Sequence, residues 1–595
     1  MDKLKNDYNM GLIGNCNYSA LINSEASIVW MCWPHFDDNS IFGALLDENE
    51  GGEFSIIPKG ESNHFEQTYI ENTNVLQTDV TCGDCMFRIT DFAPRFEQHD
   101  RFNKPLMLMR KIEPLRGTPQ IKVICSPRGD YGKRKPTVHF GSNHVHYSGI
   151  GEPIRLTSNI PLTYIEKEKF FVLDEVKYLV LTWGMSFDDP IKTTVESYLY
   201  RTITYWQRWA SQCSISRLYQ KPVLRSALAL KLHQYEDTGA IIASTTASLP
   251  ESPGSGRTWD YRYCWLRDTY YTLNALNRMS RFDEMKKFAQ YIINIAEEEV
   301  GRFSPVYTIS GDPVPPEIIV DLKGYRGNGP VRIGNLASRQ IQNDIYGQVL
   351  LAQFPLYVDE RFPGHLAPSS YNLVRKTLGY IDKRMNEPDA TLWEYRNMQE
   401  KHCYTYLFHW AGSKAAAKIA EKLGDKDLYY TAMALSSRSR NYIESCYDPK
   451  LGTYLPSQGN HYADASMLHL ITLGFLAPRS QRAKKHLEFI EKALLTPGGS
   501  MYRYDRPDDF GRPEVTFAVC TFWYVEALAC AGYIDEAFRI FEKMLDYSNH
   551  LGLFSEDIHE ATKSPWGNFP QTYTHVGLIN AAFKLSQTFD YPEFF

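Results

Sequence analysis

Carboxylates and aromatic residues occur together in three separated segments of the chain. These are GRTWDYRYCWLRD at residues 256–268, TLWEYR at 391–396 and GLFSEDI at 552–558. Aromatic faces cover the apolar C–H faces of a pyranose ring, while charged donors and acceptors bind its hydroxyl groups. Two carboxyl groups can also cleave a glycosidic bond, one by protonating the leaving oxygen and the other by activating water or attacking the sugar. The pattern therefore indicates a sugar pocket with hydrolytic chemistry.

Glu394 and Glu556 are the candidates for this pair of carboxyl groups. Glu394 follows Trp393, and an aromatic wall that excludes water is expected to keep the carboxyl protonated, as a general acid requires. Glu556 lies between Ser555 and Asp557, and we expect an exposed acidic neighbourhood that keeps it ionised as a general base. Asp557 is the weaker candidate for the base. Spacing alone leaves the alternative that each glutamate is a solvated surface charge.

Charged side chains in or near these segments are candidates for binding sugar hydroxyls. Arg267 and Asp268 stand at the start of a predicted helix and can grip two hydroxyls, but Asp268 can also be a simple helix cap. Arg503 and Asp505 lie beside tyrosines in the loop GGSMYRYDRPDDFGRPE, where the alternative is an exposed ion pair. The residue types alone do not choose between these interpretations.

Three tryptophans are candidates for stacking against a sugar ring. They are Trp259, Trp265 and Trp566, and without further information a core position is favoured for each of them. His575 is a lone histidine in a helix-entry segment, so we expect it to have a structural role and no catalytic one.

The spacing CGDC at residues 82–85 is the candidate for metal or redox chemistry. Gly83 and Asp84 predict a two-residue hairpin turn, with Cys82 and Cys85 facing each other across it. A zinc site needs four ligands, and neither a second CxxC nor a spaced pair of histidines accompanies these cysteines. We therefore expect neither a metal nor another cofactor.

Composition limits the class of protein and the kind of partner. The 595 residues exceed the size at which one core stops growing, so two or more packed units are expected. The net charge is -6 and there is no basic cluster, which argues against a nucleic acid or an anionic membrane as partner. No segment has the apolar length of a membrane span or signal peptide, and eleven scattered cysteines suit a reducing compartment. We therefore expect a cytoplasmic protein.

The elements that must position these residues change in type along the chain. From Ile13 to about Thr182, short alternating runs such as VLQTDVTCGDCMFRITDF and YLVLTW predict an antiparallel β-sandwich. The next stretch, TTVESYLYRTITYWQRWAS, has apolar residues at three- and four-residue spacing and predicts a helical linker. Beyond it we predict helices almost throughout. The predicted domains are a sandwich at 1–188, a linker at 189–218 and a helical catalytic domain at 219–595.

The predicted helices come in hairpins joined by long loops. In SKAAAKIAEKLGDKDLYYTAMALSSRSRNYIE the turn lies at Gly424 and Asp425, a glycine that ends one helix and an aspartate that caps the next. The same arrangement of two helices joined at a glycine is predicted around Gly532, in TFWYVEALACAGYIDEAFRIFEKML. Hairpins that cannot bury their apolar faces alone must stack, and roughly a dozen such helices close into an α/α toroid. Its loops gather at two ends, where acidic and aromatic residues from distant segments can meet.

Taken in order along the chain, these motifs resemble glycoside hydrolase family 15, the glucoamylase, trehalase and glucodextranase group, in its bacterial or archaeal type. The resemblance begins with WMCWPHFDDNSIFGALLD, continues through TGAIIASTTASLPE, WDYRYCWLRD and LWEYR, and ends with GLFSED and GNFPQTYTHVGLINAA. It covers nearly the whole chain. It implies a β-sandwich joined to an α/α toroid of six helical hairpins, and hydrolysis with inversion at the anomeric carbon.

The resemblance also implies roles for individual residues. Glu394 would be the general acid and Glu556 the general base, while Tyr261 would lie near the reacting carbon. Where the family more often has Gln after the base, this chain has Asp557, which bears on the pKa of the base and on nearby sugar contacts. The residues expected to bind substrate are Trp259, Tyr261, Trp265, Arg267, Asp268, Trp393, Arg503 and Trp566.

The implied function is an exo-acting, glucoamylase-like hydrolase that releases β-glucose from the nonreducing ends of α-glucosides. No starch-binding appendage or secretion signal is visible, so a short oligosaccharide or a disaccharide is the expected substrate. The alternative within the family is a trehalase, since trehalose presents the same nonreducing α-glucose. Less expected are an inverting glycoside phosphorylase and a sugar-binding protein without activity. The preferred linkage and the oligomeric state stay open.

Overall fold

The computed structural model describes residues 5–60, 62–362 and 368–588. The strands of its N-terminal part are β1 (Met10–Gly14), β2 (Ser19–Asn23), β3 (Ile28–Cys32), β4 (Ser40–Phe42), β5 (Phe54–Pro58), β6 (Asn63–Tyr69), β7 (Leu76–Cys82), β8 (Cys85–Phe92), β9 (Phe96–Gln98), β10 (Arg101–Asn103), β11 (Met107–Arg116), β12 (Gln120–Cys125), β13 (Thr137–Phe140), β14 (His144–Ser148), β15 (Ile154–Ser158), β16 (Phe171–Val172) and β17 (Lys177–Trp183). One antiparallel sheet has the order β1-β2-β3-β5-β12-β16, with β4 paired to β3, and a second has the order β13-β14-β15-β17-β11-β8-β7-β6.

The two sheets enclose a common apolar core, which confirms the predicted antiparallel β-sandwich. Ile22 and Ile56 contribute to this core from the first sheet, and Ile89 and Leu181 contribute from the second. Burial alternates along β7, as the two-residue period of a strand with one buried face requires. The predicted turn after β7 is also confirmed, because Cys82 pairs with Cys85 across the two residues between them.

The helices are α1 (Leu162–Glu166), α2 (Ile191–Ser211), α3 (Gln220–Leu232), α4 (Thr269–Arg278), α5 (Phe282–Glu298), α6 (Asp344–Val358), α7 (Pro368–Arg384), α8 (Cys403–Leu423), α9 (Lys426–Ser445), α10 (His469–Thr472), α11 (Gln481–Leu494), α12 (Ala518–Ala531), α13 (Ile534–Leu545) and α14 (Thr572–Ser586). Helices α1 and α2 contact strands of the sandwich, and the helices from α3 onward form a ring of two layers. Helices α4, α6, α8, α10, α12 and α14 pack in that order, and α14 contacts α4 to close the inner ring. Helices α5, α7, α9, α11, α13 and α3 lie outside it. This is the α/α toroid expected from the sequence.

The inner and outer helices differ in how much of their surface is buried, and their sequences differ accordingly. Nearly every residue of α12 is buried, whereas α13 buries four residues at three- and four-residue spacing and exposes its other face. The predicted turn between α8 and α9 is present: Gly424 has a φ of 74°, and the Asp425 side chain accepts from the backbone N–H of Leu428. Gly347 allows α6 to approach α8 closely, since a Cβ there would lie 2.1 Å from the carbonyl oxygen of Phe408.

The sandwich and the toroid are packed against each other. Trp30 and Phe92 of the sandwich belong to the same buried cluster as Trp206 of α2 and Leu228 of α3. Within the described residues, no helix is long and apolar enough to cross a membrane. The outer ends of the predicted domains, residues 1–4 and 589–595, lie outside the described part of the chain.

Short strands organise the loops of the toroid. They are β18 (Ala247–Pro250), β19 (Thr258–Asp260), β20 (Cys264–Trp265), β21 (Val306–Tyr307), β22 (Ile318–Val320), β23 (Val331–Ile333), β24 (Tyr447–Asp448), β25 (Thr453–Tyr454), β26 (Thr516–Phe517), β27 (Asp557–His559) and β28 (Ser564–Trp566). They pair as β18-β19, β20-β21, β22-β23, β24-β25 and β26-β27-β28. Backbone hydrogen bonds therefore hold several of the loops that carry the predicted site residues.

Candidate active site

A pocket among the toroid loops brings together both glutamates and all but one of the residues expected to bind substrate. Its lining includes Trp259, Tyr261, Trp265, Arg267, Asp268, Trp393, Glu394, Arg503 and Glu556. Trp566 is the exception, and its proposed contact with substrate is corrected here. Its side chain is fully buried in β28 beside Tyr325, with ring centroids 6.4 Å apart, so it packs in the core. His575 is also fully buried and accepts from the backbone N–H of Phe554, which fits the structural role expected for it.

Glu394 projects from a tight turn that follows the buried Asp389. The Asp389 carboxylate accepts from the backbone N–H of Thr391 at 2.9 Å and from the Thr405 hydroxyl at 2.8 Å, which anchors the start of the turn. Thr391 and Glu394 have φ values of 52° and 61°, a conformation that residues other than glycine seldom adopt. Such backbone persists only where the surroundings hold it, and it is concentrated at functional sites. The turn therefore fixes the direction of the Glu394 side chain.

Three donors converge on one oxygen of the Glu394 carboxyl group. Oε1 accepts from Trp265 Nε1 at 2.7 Å, from Arg267 at 3.1 Å and from Gln342 at 3.3 Å. Because these N–H groups all point at Oε1, a proton carried by the group resides on Oε2. The predicted aromatic neighbour has another role: Trp393 lines the pocket, but its indole N–H donates to Asp464 at 2.8 Å. The indole that contacts the carboxyl is that of Trp265.

Glu556 is buried, which corrects the expectation of an exposed acidic neighbourhood. Only 1% of its surface is accessible. Its Oε1 accepts from the Tyr261 hydroxyl at 2.8 Å, and its Oε2 accepts from the backbone N–H of Asn568 at 3.2 Å. Burial and the neighbouring Glu251 raise the pKa of Glu556 to about 7, against the lowering effect of Arg503. A carboxylate with this pKa is suited to accept a proton from water near neutral pH.

Three carboxyl groups and one guanidinium form a cluster at Glu556. Glu251, Glu556 and Asp557 offer oxygens within 4.8 Å of one another, a spacing that can hold a metal ion. Arg503 lies 2.9 Å from Asp557 and 3.2 Å from Glu251, so a guanidinium already supplies positive charge there. The suggested ion pair between Arg503 and Asp505 is replaced by these contacts. Burial raises the pKa of Asp557 well above its ordinary value, against the effect of Arg503, and this favours its neutral form.

Arg267 and Asp268 enter the pocket from the 3-10 turn Leu266–Asp268, which precedes α4. The Asp268 side chain caps no backbone N–H, so the simple capping interpretation is wrong. Its Oδ1 is buried without a hydrogen-bond partner in the described structure and lies 3.4 Å from Arg267. Burial raises the pKa of Asp268 to about 6, against the lowering effect of Arg267. An unsatisfied carboxylate oxygen beside a guanidinium is suited to bind a sugar hydroxyl.

An aromatic pair connects the two proposed catalytic groups. The rings of Tyr261 and Trp265 meet edge to face, with centroids 5.4 Å apart. Tyr261 donates to Glu556, and Trp265 donates to Glu394. The pairing of β18 with β19 and of β20 with β21 holds the segment that carries both rings. The acid and base candidates thus stand at the two ends of one rigid pair, with the pocket between them.

Residues outside the sequence-based proposal complete the pocket. Trp259 donates its indole N–H to Glu251 at 2.8 Å, and the Arg396 guanidinium lies 4.5 Å from the centroid of the Trp259 ring. Glu251 ends the quoted motif TGAIIASTTASLPE, and Arg396 ends TLWEYR, so both lay within segments already recognised. The lining residues that were missed include Glu251, Arg257, Gln340, Arg396, Asp508, Asp509, Phe510 and Tyr573.

Comparison with known proteins places the chain among glycosidases. Residues 217–583 match the family described as glycosyl hydrolases family 15, and residues 7–169 match a domain described as trehalase-like, N-terminal. A trehalase of Thermoplasma volcanium is 32% identical over 590 residues, covering 97% of this chain and 93% of that protein. A trehalase of Mycobacterium tuberculosis is 29% identical, covering 95% of this chain and 87% of that protein.

A solved structure shows the same architecture. A bacterial glucoamylase complexed with acarbose has a TM-score of 0.69 at 17% identity, covering 98% of this chain and 94% of that chain. At this identity the likeness concerns the fold alone, and it extends over both the sandwich and the toroid. The family match over the toroid and the full-length relatives together show the class of enzyme. The chain belongs to glycosyl hydrolases family 15 and is a glycoside hydrolase.

Proposed function

We propose that this protein is an inverting trehalase, which hydrolyses α,α-trehalose to two molecules of glucose. The observation that carries the proposal is the placement of Glu394 and Glu556 at the two ends of the Tyr261–Trp265 pair in one pocket. Trehalose is favoured over other α-glucosides because relatives matched over nearly their whole length are named trehalases. This reverses the order of the two functions expected from the sequence, where a glucoamylase-like activity stood first.

In the proposed mechanism Glu394 protonates the glycosidic oxygen. The proton leaves from Oε2, since Trp265, Arg267 and Gln342 all donate to Oε1. The same three donors stabilise the carboxylate that forms as the proton is transferred. Hydrogen bonds to a charged group contribute about 1.5–3 kcal/mol each, so this arrangement favours the developing charge without any movement of the protein.

Glu556 is proposed to take a proton from the attacking water. Tyr261 and the backbone N–H of Asn568 each hold one of its oxygens and fix the plane of the carboxylate. Water activated in this way attacks the anomeric carbon from the face opposite the leaving oxygen, and a single displacement inverts the configuration. An inverting pair requires the two carboxyl groups to stand roughly 6.5–9.5 Å apart.

The nonreducing glucose is proposed to bind through Arg267, Asp268 and Arg503. Oδ1 of Asp268, which has no hydrogen-bond partner in the described structure, accepts a hydrogen bond from one sugar hydroxyl, and the guanidinium groups of Arg267 and Arg503 donate to other hydroxyls. Trp393 covers an apolar face of the ring. Because these groups grip the far side of the terminal sugar, cleavage is expected only at a chain end or in a disaccharide.

Hydrolysis is favoured over phosphorolysis by the charges of the pocket. A phosphate cradle needs positive charge that is not already balanced, whereas each of the four arginines lining this pocket has a carboxylate beside it. The pairs are Arg257 with Asp508, Arg267 with Asp268, Arg396 with Glu317, and Arg503 with Glu251. Glu556 also argues for hydrolysis, because an inverting hydrolase needs a base to activate water and a phosphorylase does not.

Early proton NMR of the products tests this function. Trehalose, maltose, isomaltose and panose are incubated with the protein, with and without phosphate. Inverting hydrolysis of trehalose initially gives equal amounts of α- and β-glucose, because the attacked sugar inverts while the other keeps its α configuration. Hydrolysis of maltose or panose without hydrolysis of trehalose would reject the trehalase proposal. Initial release of α-glucose alone would reject inversion, and formation of a glucose phosphate when phosphate is present would indicate a phosphorylase.

A cytoplasmic location also remains a proposal. All eleven cysteines have free thiols, which is typical of proteins in a reducing compartment. Cell fractionation followed by immunodetection tests the location, and recovery of the protein in the medium or in a membrane fraction would contradict it.

A further inference from the structure

Glu251 is a buried carboxylate of the pocket that the mechanism above does not use. It follows β18, and only 3% of its surface is accessible. Its backbone N–H donates to the carbonyl of Arg257, which closes the loop between β18 and β19. Its side chain accepts from Trp259 Nε1 at 2.8 Å and lies 3.2 Å from Arg503. One carboxylate therefore holds two groups proposed to contact the sugar.

The charges around Glu556 show what Glu251 adds electrostatically. The titratable groups that act on Glu556 are Glu251, Tyr261, Arg503, Asp557 and, from the N-terminal segment, Tyr8. Burial favours the neutral forms of Asp557 and of both tyrosines. Glu251 and Asp557 each offer an oxygen within 4.8 Å of Glu556, and Arg503 lies 3.2 Å from Glu251 and 2.9 Å from Asp557. Glu251 is therefore a direct electrostatic neighbour of Glu556.

We propose that Glu251 is a positioning residue of the reaction, whose negative charge strengthens Glu556 as a base and whose oxygens orient Trp259 and Arg503. A negative charge nearby opposes ionisation of Glu556, so the carboxylate binds the proton of the attacking water more tightly. If Glu251 were neutral, Arg503 would act on Glu556 with less compensation and weaken the base. This inference rests on the proposed role of Glu556 as general base.

Glu251→Gln removes the charge and keeps the shape of the side chain. The measurement is kcat/KM for trehalose against pH, whose acid limb reports ionisation of the base in the free enzyme. We expect the acid limb of this variant to move to lower pH by roughly 1 pH unit, the size of the effect of a close charge. A purely structural role would lower activity at every pH and leave the limb in place. Glu251→Ser is a second neutral variant, and its acid limb is measured in the same way if the Gln variant does not fold.

Two further variants make the test specific to Glu251. Glu251→Asp keeps the charge, so its acid limb should stay close to that of the wild type even if kcat falls. Burial favours the neutral form of Asp557, so Asp557→Asn should change the charge near Glu556 little and leave the limb in place. A limb that does not move in either neutral Glu251 variant overturns the inference. So does a limb that moves as far in Asp557→Asn as in Glu251→Gln.

Failure of the proposed function can be told apart from failure of this inference. If the wild type does not hydrolyse trehalose, the trehalase proposal fails, and the same pH profiles are measured on whichever α-glucoside it does hydrolyse. Calorimetric binding of a basic iminosugar, a cationic glucose analogue, gives a readout that needs no turnover. Its affinity should fall with decreasing pH as Glu556 is protonated, and this fall should also occur at lower pH in Glu251→Gln. Identical binding profiles in the two proteins would overturn the inference.

Discussion

Glu556→Gln should stabilise the folded protein at alkaline pH although it abolishes hydrolysis. Burial raises the pKa of Glu556 from 4.5 to about 7, so the folded protein binds the proton more tightly than the unfolded chain does. Between these two pH values the folded state carries more protons than the unfolded state, and the free energy of unfolding falls as pH rises. The loss is small below pH 4.5 and complete above about pH 7. A glutamine at this position does not titrate, so the variant does not lose this stability as the pH rises.

The size of the effect follows from the shift in pKa. A shift from 4.5 to about 7 lowers the free energy of unfolding at pH 8 by about 3 kcal/mol, and most of this loss occurs above pH 5. For a chain of 595 residues, the usual unfolding entropy per residue converts this into about 2 °C of melting temperature. Gln can also keep both contacts, since its oxygen can accept from Asn568 and its amide can donate to the Tyr261 hydroxyl.

Scanning calorimetry at pH 5 and pH 8 measures this difference. The melting temperature of Glu556→Gln relative to the wild type should rise by about 2 °C between pH 5 and pH 8. Glu488→Gln changes an exposed glutamate of α11 in the same way and serves as the matched control, with no such rise expected. Comparing two pH values cancels any pH-independent cost of the substitution. An equal offset of Glu556→Gln at both pH values would refute the argument that burial raises the pKa of this group.

Three further predictions concern catalysis and binding. Glu394→Gln should lower trehalose hydrolysis by about 10²–10⁴-fold but spare α-glucosyl fluoride, whose leaving group needs little protonation; equal losses would remove Glu394 from the acid role. Asp268→Asn should lower kcat/KM for trehalose by roughly 10–100-fold, because a charged hydrogen bond to the sugar is lost, and an unchanged value would contradict that contact. Activity should persist after exhaustive chelation, since Arg503 supplies positive charge among the carboxylates, whereas loss that calcium or zinc restores would reveal a metal site.

Local patterns were enough to predict both domains of the fold. The alternation that predicts β7 and the helical spacing of α13 repeat every two or every three to four residues, so each can be recognised from neighbours in the sequence. The turn at Gly424 and Asp425 is local in the same sense. What these patterns do not contain is the order in which six inner helices close around the pocket, because that depends on contacts between distant segments.

The aromatic residues show where local reasoning fails. Trp265 and Trp566 both occur in loop strands near the motifs that were proposed to contact substrate, and their sequence neighbourhoods do not distinguish them. Only the fold turns Trp265 toward Glu394 and buries Trp566 beside Tyr325. The orientation of a ring depends on which face of its strand meets the core, and that face is set by tertiary packing.

The sequence by itself determined the domain types and the family, and it singled out the two glutamates as candidates, because residue types and motif order are properties of the chain alone. Only the tertiary structure decided that Glu556 is buried and that Glu251 and Arg503 face it. Its sequence neighbours, Ser555 and Asp557, suggested an exposed site. The difference arises because desolvation and Coulomb interactions depend on distance through space, and the groups that set the protonation of Glu556 come from segments far apart in the chain.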